Sequence, residues 1–106
     1  MNERDKDILK RIKAKISEKD PTAEVILFGS RARGDARSES DWDILILLNM
    51  PEVSFNTERE FRHHLIDLEL ETNEGFSVFV YSRNTWETRY APTPFYKNIK
   101  QEGLLL

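Results

Sequence analysis

Two aspartates two residues apart, Asp41 and Asp43, are the side chains of this sequence best suited to chemistry. They open an apolar run, Ile44–Leu48, which predicts a buried strand, and alternate residues of a strand point to the same face. Two neighbouring carboxylates repel each other unless a cation lies between them, and hard divalent ions such as Mg²⁺ prefer oxygen ligands. The pair is therefore a candidate metal site.

A glycine–serine pair, Gly29 and Ser30, follows another apolar run and is separated from the first aspartate by ten residues. Glycine lets the backbone approach a ligand closely, and backbone N–H groups together with a hydroxyl suit phosphate oxygens. Arg31 and Arg33 come next, and guanidinium groups match the geometry of phosphate. The sequence leaves open which arginine contacts phosphate, and a plain surface position is the alternative for each.

This combination of Gly-Ser, ten residues and Asp-X-Asp resembles the signature of the DNA polymerase β-like nucleotidyltransferase superfamily. In its length of 106 residues the chain is similar to a minimal nucleotidyltransferase (MNT) protein of the antitoxin type. The resemblance implies that Asp41 and Asp43 are catalytic and bind Mg²⁺, with two metal ions as one form of the site. It also implies that Gly29, Ser30 and the following arginines bind the phosphates of a nucleoside triphosphate such as ATP.

The sequence departs from that family where the next strand is expected. Catalytic members carry a third acidic residue on this strand, but Phe76–Tyr81 contains no acid, and Ser77 stands about where the acid is expected. Glu69, Glu71 and Glu74 lie just upstream as possible replacements. A missing general base typically costs about 10²–10⁴-fold in rate. Metal and nucleotide binding are therefore expected, and efficient catalysis is an open question.

Two functional hypotheses follow from the resemblance. MNT proteins similar to this one are often paired with small helical HEPN proteins, which are candidate RNase toxins, and neutralise them by adding AMP. The first hypothesis is therefore Mg²⁺-dependent transfer of AMP from ATP to a hydroxyl of a partner protein. The alternative is a catalytically degenerate nucleotide-binding or protein-binding module that inhibits a HEPN partner by contact. A homo-oligomer or a hetero-oligomer is compatible with both.

Length and composition limit the remaining classes of function. The length predicts a single minimal nucleotidyltransferase domain, residues 1–106. A net charge of −3 and a pI near 5.4 argue against direct binding of nucleic acid. No apolar run approaches the roughly 20 residues that span a bilayer, so no membrane association is expected. The charged N-terminus and the absence of cysteine are consistent with a cytoplasmic protein.

Hydrophobic periodicity predicts an α/β fold, with a small mixed β-sheet flanked by helices. The predicted strands are Glu24–Phe28, Trp42–Leu48 and Phe76–Tyr81. The predicted helices are Glu3–Ser17, Thr57–Leu70 and a last one from Pro94 to Glu102, with shorter helical turns at Arg31–Ala36 and Asn84–Thr88.

Some individual residues also carry expectations. Gly75 is expected to provide the backbone freedom for the turn before the third strand. Adjacent histidines, His63 and His64, point about 100° apart on a helix and make a poor metal clamp. Several aromatic residues are expected in the core, namely Trp42, Phe55, Phe76, Phe79 and Trp86.

Overall fold

The computed structural model describes all residues, 1–106, and contains four strands and six helices. The strands are β1 (Glu24–Phe28), β2 (Trp42–Leu48), β3 (Phe76–Ser82) and β4 (Leu104–Leu105). The helices are α1 (Glu3–Lys19), α2 (Gly29–Arg33), α3 (Phe55–His64), α4 (Ile66–Thr72), α5 (Arg83–Thr88) and α6 (Pro94–Glu102). The predicted α/β fold with a small mixed sheet is confirmed.

The strands lie in the order β3-β2-β1-β4. Strand β1 is antiparallel to β2 and β4, whereas β2 is parallel to β3. In this register Phe28 at the end of β1 lies opposite Asp43, and Asp43 lies opposite Ser77 near the start of β3. The end of β1 and the starts of β2 and β3 therefore meet at one end of the sheet.

The two faces of the sheet are covered by different side chains. Helices α1, α3 and α4 pack an aliphatic layer onto one face, with Ile8, Ile12 and Ile16 of α1 buried. Helices α5 and α6 cover the other face with an aromatic layer that includes Trp86. Because β2 lies between two strands and two layers, Ile44–Leu48 is buried on both faces, which explains its uninterrupted apolar run.

The helix predicted over Thr57–Leu70 is two helices, α3 and α4, with Leu65 between them. The N–H of Leu65 donates to the carbonyl of Arg62 at 3.1 Å, which is the tighter i→i−3 pattern found at helix ends. Helix α3 begins two residues earlier than predicted because the Ser54 hydroxyl accepts a hydrogen bond from the N–H of Thr57.

The turn before β3 uses a different residue from the one expected. Asn73, with φ of 56°, takes the left-handed conformation, which asparagine tolerates better than most side chains. Gly75 is required for a different reason, since a Cβ atom there would lie 2.5 Å from Oδ1 of Asp41. This glycine therefore allows the turn to approach the aspartate pair closely.

The expectation for the aromatic residues is correct for most of them and wrong for Phe55. Trp42 and Trp86 are buried, and Phe76 and Phe79 are partly buried. Phe55 is 72% exposed because it is the first residue of α3, whereas the buried residue of this helix, Phe61, lies in a later turn. No helix of the chain combines the length and apolar character needed to cross a membrane.

Candidate nucleotide and metal site

The two aspartates lie where β2 begins. Asp41 is exposed just before the strand, Asp43 is partly buried within it, and Trp42 between them is fully buried in the aliphatic layer on the other face. This is the alternation that a strand imposes. The two carboxylates are therefore held on one face by the burial of the tryptophan.

Asp43 occupies an environment that disfavours its charge. Burial raises the pKa of its carboxyl group, and the neighbouring charge of Asp41 raises it further. Arg33 acts in the opposite direction, while Glu102 of α6 adds another raising contribution. A cation at the pair would offset both the burial and the repulsion.

The junction between β1 and α2 lies directly against this carboxylate. Gly29 has φ of 74°, and a Cβ atom at this position would lie 2.1 Å from Oδ2 of Asp43. Helix α2 starts at Gly29, earlier than the predicted turn Arg31–Ala36, and Phe28 before it provides no side-chain cap. The glycine and Ser30 therefore bring the uncapped first turn of a helix next to the acid pair.

Arg31 is fixed by contacts within the chain. Its guanidinium group donates to the carbonyl oxygen of Ser40 at 2.8 Å and to that of Ser38 at 3.3 Å. The same group lies 4.7 Å from the centre of the Trp42 ring, and its side chain is only 10% exposed. Arg31 thus anchors the loop between α2 and β2, and its donors face that loop.

Arg33 is in a different situation, with its side chain 45% exposed. It forms ion pairs with Asp35 at 3.2 Å and with Glu102 at 3.2 Å. Its charge also reaches Asp43, whose pKa it lowers. Of the two arginines, Arg33 is the better candidate for contact with a ligand. No local pattern in the sequence indicated that Glu102 would lie near Arg33 and Asp43, because only the folded chain brings α6 to this site.

Ser77 lies beside the aspartate pair. Its hydroxyl donates to Oδ2 of Asp41 at 3.2 Å, and its backbone pairs in register with Asp43. A side chain at this position therefore faces the carboxylates. The short hydroxyl provides neither a third metal-binding carboxylate nor a strong base.

The three upstream glutamates make other contacts. Glu74 is 9% exposed and pairs with Arg4 at 2.6 Å and with Arg31 at 3.6 Å. Glu71 pairs with Arg11, and the carboxylate of Glu69 accepts the N–H of Phe76 at 3.0 Å. No group of three or more histidine, cysteine, aspartate or glutamate side chains is arranged to hold a metal ion. The contacts of these three glutamates therefore give no sign that any of them replaces the missing third acid.

Comparisons with known proteins bear on the family and the fold of the chain. Residues 9–105 match the family model of the nucleotidyltransferase domain. The fold is similar to a crystal structure of a mutant of the toxin–antitoxin MntA-HpeT, with a TM-score of 0.63 and 19% identity over 92% of this chain and 69% of that chain. It is also similar to a toxin–antitoxin crystallised with AMP-PNP, with a TM-score of 0.61 and 18% identity over 88% of this chain and 70% of that chain.

No functionally curated protein matches the sequence. At such low identity the two solved structures carry the fold alone, whereas the family model extends over nearly the whole chain. The chain belongs to the nucleotidyltransferase domain family.

Proposed function

We propose that this chain binds a magnesium–nucleoside triphosphate, most simply ATP, and transfers AMP to a hydroxyl of a partner protein. The partner would be a small helical HEPN toxin, for which the chain serves as the antitoxin. One observation carries the proposal: the backbone at Gly29 lies directly against the carboxylate of Asp43. A phosphate-type turn and a candidate cation site are thus adjacent, as nucleotidyl transfer requires.

The residues present fit a divalent cation. Asp41 and Asp43 share one face, and the nearby arginines are paired with other groups: Arg31 with Glu74, and Arg33 with Asp35 and Glu102. The carboxylates thus remain available as oxygen ligands, which Mg²⁺ prefers. When bound, the ion would neutralise charge that develops on the phosphate oxygens.

The chain's own groups would orient the triphosphate. Gly29 and Ser30 would hold the terminal phosphates through backbone N–H groups and the hydroxyl, and Arg33 would add a charged donor. The acceptor oxygen would then form a bond to the α-phosphorus, while the bond to the bridging oxygen of the β-phosphate breaks and pyrophosphate leaves. Because Ser77 is not a base, the hydroxyl proton would pass to solvent or to a group that the partner provides.

The second candidate is the degenerate module that inhibits a partner by contact alone. It is supported by Ser77 at the position facing the aspartates and by Glu74, whose carboxylate is paired with Arg4 and Arg31. The association with a toxin is supported by the two structural neighbours, both of which are toxin–antitoxin structures, one with AMP-PNP. Transfer of labelled AMP to a co-expressed partner distinguishes the two candidates.

Titration calorimetry with ATP tests the nucleotide site, with Mg²⁺ present or removed by EDTA. We expect Asp41→Asn and Asp43→Asn each to weaken Mg²⁺-dependent binding by at least roughly tenfold to a hundredfold, because a ligand of the cation is lost. Asp7→Asn, which removes an exposed acid of α1, is the matched control and should bind as wild type does. Equal affinity in all the variants would remove the assignment of this site.

A further inference from the structure

A groove of about 460 Å³ runs along the outer edge of β3, next to the nucleotide site described above. It lies between the start of β3 and the side chains of α3 and α4. Its lining includes Arg62, Ile66, Glu69, Phe76, Ser77 and Phe79. We call it the β3 groove. Its apolar members and its one hydroxyl have no role in holding the phosphates.

The β3 groove is linked to the aspartate pair by Ser77. Ser77 belongs to the groove lining and also donates a hydrogen bond to Oδ2 of Asp41 at 3.2 Å. In the parallel pairing of β2 and β3, Ser77 is the partner of Asp43. Ser77 therefore lies at the boundary between the groove and the carboxylates.

The order of the strands separates the two sides of the site. Gly29 at the end of β1 lies on one side of Asp43, and Ser77 on β3 lies on the other. In phosphoryl transfer, the attacking and leaving oxygens lie roughly in line on opposite sides of phosphorus. If the leaving phosphates lie at Gly29, as the proposed function requires, the attacking hydroxyl must approach from the side of β3.

We propose that the β3 groove is the acceptor site, and that it receives a hydroxyl-bearing side chain of a partner protein presented from a helix or a loop. An added partner strand is disfavoured because the edge of β3 is already bonded here. The N–H of Phe76 donates to Glu69 at 3.0 Å, and the carbonyl of Val78 accepts from Arg62 at 3.4 Å. A partner thus meets side chains instead of free backbone groups.

Charge and exposure favour a protein over a nucleic acid. The chain carries a net charge of −3, and the groove lining contains the carboxylate of Glu69. Arg62, the cation of the groove, is paired with Glu58. Ile66 and Leu70, one helical turn apart on α4, are 43% and 76% exposed and extend the apolar surface beyond the groove. This surface suits apolar side chains that flank the acceptor hydroxyl.

Amide NMR titrations test the assignment, using N-acetyl-tyrosinamide as a probe that carries a hydroxyl on an apolar side chain. The probe is added to the protein with and without Mg²⁺ and AMP-PNP, and a single-stranded RNA oligonucleotide is titrated separately. We expect saturable shifts at Phe76, Ser77 and Phe79 with the probe, and none there with RNA. Shifts confined to the groove at the opposite end of the sheet, at Asn49, Met50 and Arg83, would overturn the proposal.

Two exposed apolar residues provide matched variants. Ile66→Asp places a charge in the groove lining and should weaken binding of the probe by about tenfold, whereas Phe55→Asp makes the same change outside the lining and should have no effect. Ile66→Ser, which adds no charge, should weaken binding in the same direction. Equal probe affinity in Ile66→Asp and wild type contradicts the assignment.

Nucleotide affinity, measured by calorimetry in the same variants, separates the two proposals. Ile66→Asp should bind AMP-PNP and Mg²⁺ as wild type does. If wild type fails to bind nucleotide, the proposed function fails, and the titration without nucleotide still tests the groove. If nucleotide binds but the probe shifts lie elsewhere, only the acceptor site is wrong.

Discussion

The two sides of the aspartate pair are built differently. On the β1 side the backbone of Gly29 lies so close to Asp43 that even a Cβ atom would overlap the carboxylate. On the β3 side Ser77 contributes only a hydroxyl, and the groove beyond it is open. One side is closely packed and formed within the chain, and the other is left with space for a further group.

This difference indicates which side of the site the chain forms by itself and which side a partner could complete. A closely packed side fixes the geometry of a ligand that is the same in every reaction cycle, as the triphosphate is in the proposed function. An open side can be completed by the acceptor itself. A protein that acts on one partner can therefore leave part of its site to that partner.

The largest effect is expected from adding a side chain at Gly29, on the β1 side of the aspartate pair. Gly29→Ala combines left-handed strain of about 1–2 kcal/mol with displacement of the Asp43 carboxylate. We expect it to lower the stability of the protein and to reduce nucleotide affinity by at least roughly tenfold. Thermal unfolding and ATP calorimetry measure the two effects.

Gly34→Ala is the matched control for this change. Gly34 has φ of 86°, similar to that of Gly29, but a Cβ atom there meets nothing within 4 Å. This variant should carry the conformational strain alone and retain nucleotide affinity. Equal losses of nucleotide affinity in both variants would show that the contact with Asp43 is unimportant.

A smaller effect is expected from filling the β3 side. Ser77→Asp adds a third carboxylate beside Asp41 and Asp43, so it should lower thermal stability without metal and increase the stabilisation by Mg²⁺. AMP transfer should rise by about 10²-fold or more if a general base is gained. Asparagine is similar in shape to aspartate but uncharged, so Ser77→Asn should change neither the response to Mg²⁺ nor the rate of AMP transfer. An unchanged response to Mg²⁺ in Ser77→Asp would mean that residue 77 is remote from the cation.

The smallest effect on nucleotide binding is expected from substitution of the two arginines. One substitution should change mainly nucleotide affinity and the other mainly thermal stability. Arg33→Ala removes a partly exposed cation near Asp43 and should weaken ATP binding by up to about tenfold while the melting temperature changes little. Arg31→Ala releases Ser38 and Ser40 and should lower the melting temperature. The reverse pattern would exchange the roles assigned to the two side chains.

Local patterns were sufficient to predict three of the four strands of the sheet. The apolar runs predict β1 and β2 with the observed limits, because burial on both faces leaves no polar position between Ile44 and Leu48 of β2. Pro94 and Gly103 likewise mark the ends of α6, since proline suits a first helical turn. The break at Leu65 had no such signal, because Leu65 is buried with the same apolar layer as its neighbours. Strand β4 was missed because two leucines indicate a strand only beside β1.

The candidate site was predictable in residue type but only partly in geometry. The spacing of Asp41 and Asp43 was sufficient to place them on one face, since Trp42 must be buried. The different contacts of Arg31 and Arg33 depend on Ser40 and Glu102, and only the folded chain brings these residues close. The need for a glycine at position 75 was also hidden, because it arises from a carboxylate far away in the sequence.

The ion pairs around Glu74 bear on the order in which the chain folds. Arg4 in the first turn of α1 pairs with Glu74, Glu74 lies 3.6 Å from Arg31, and Arg31 holds the carbonyl of Ser40. The contact between Arg4 and Glu74 joins residues 70 positions apart, and the entropic cost of closing so long a loop makes such contacts slow to form. We therefore expect the loop before Asp41 to become ordered late in folding, so that a chain with its helices already formed still lacks a finished aspartate site.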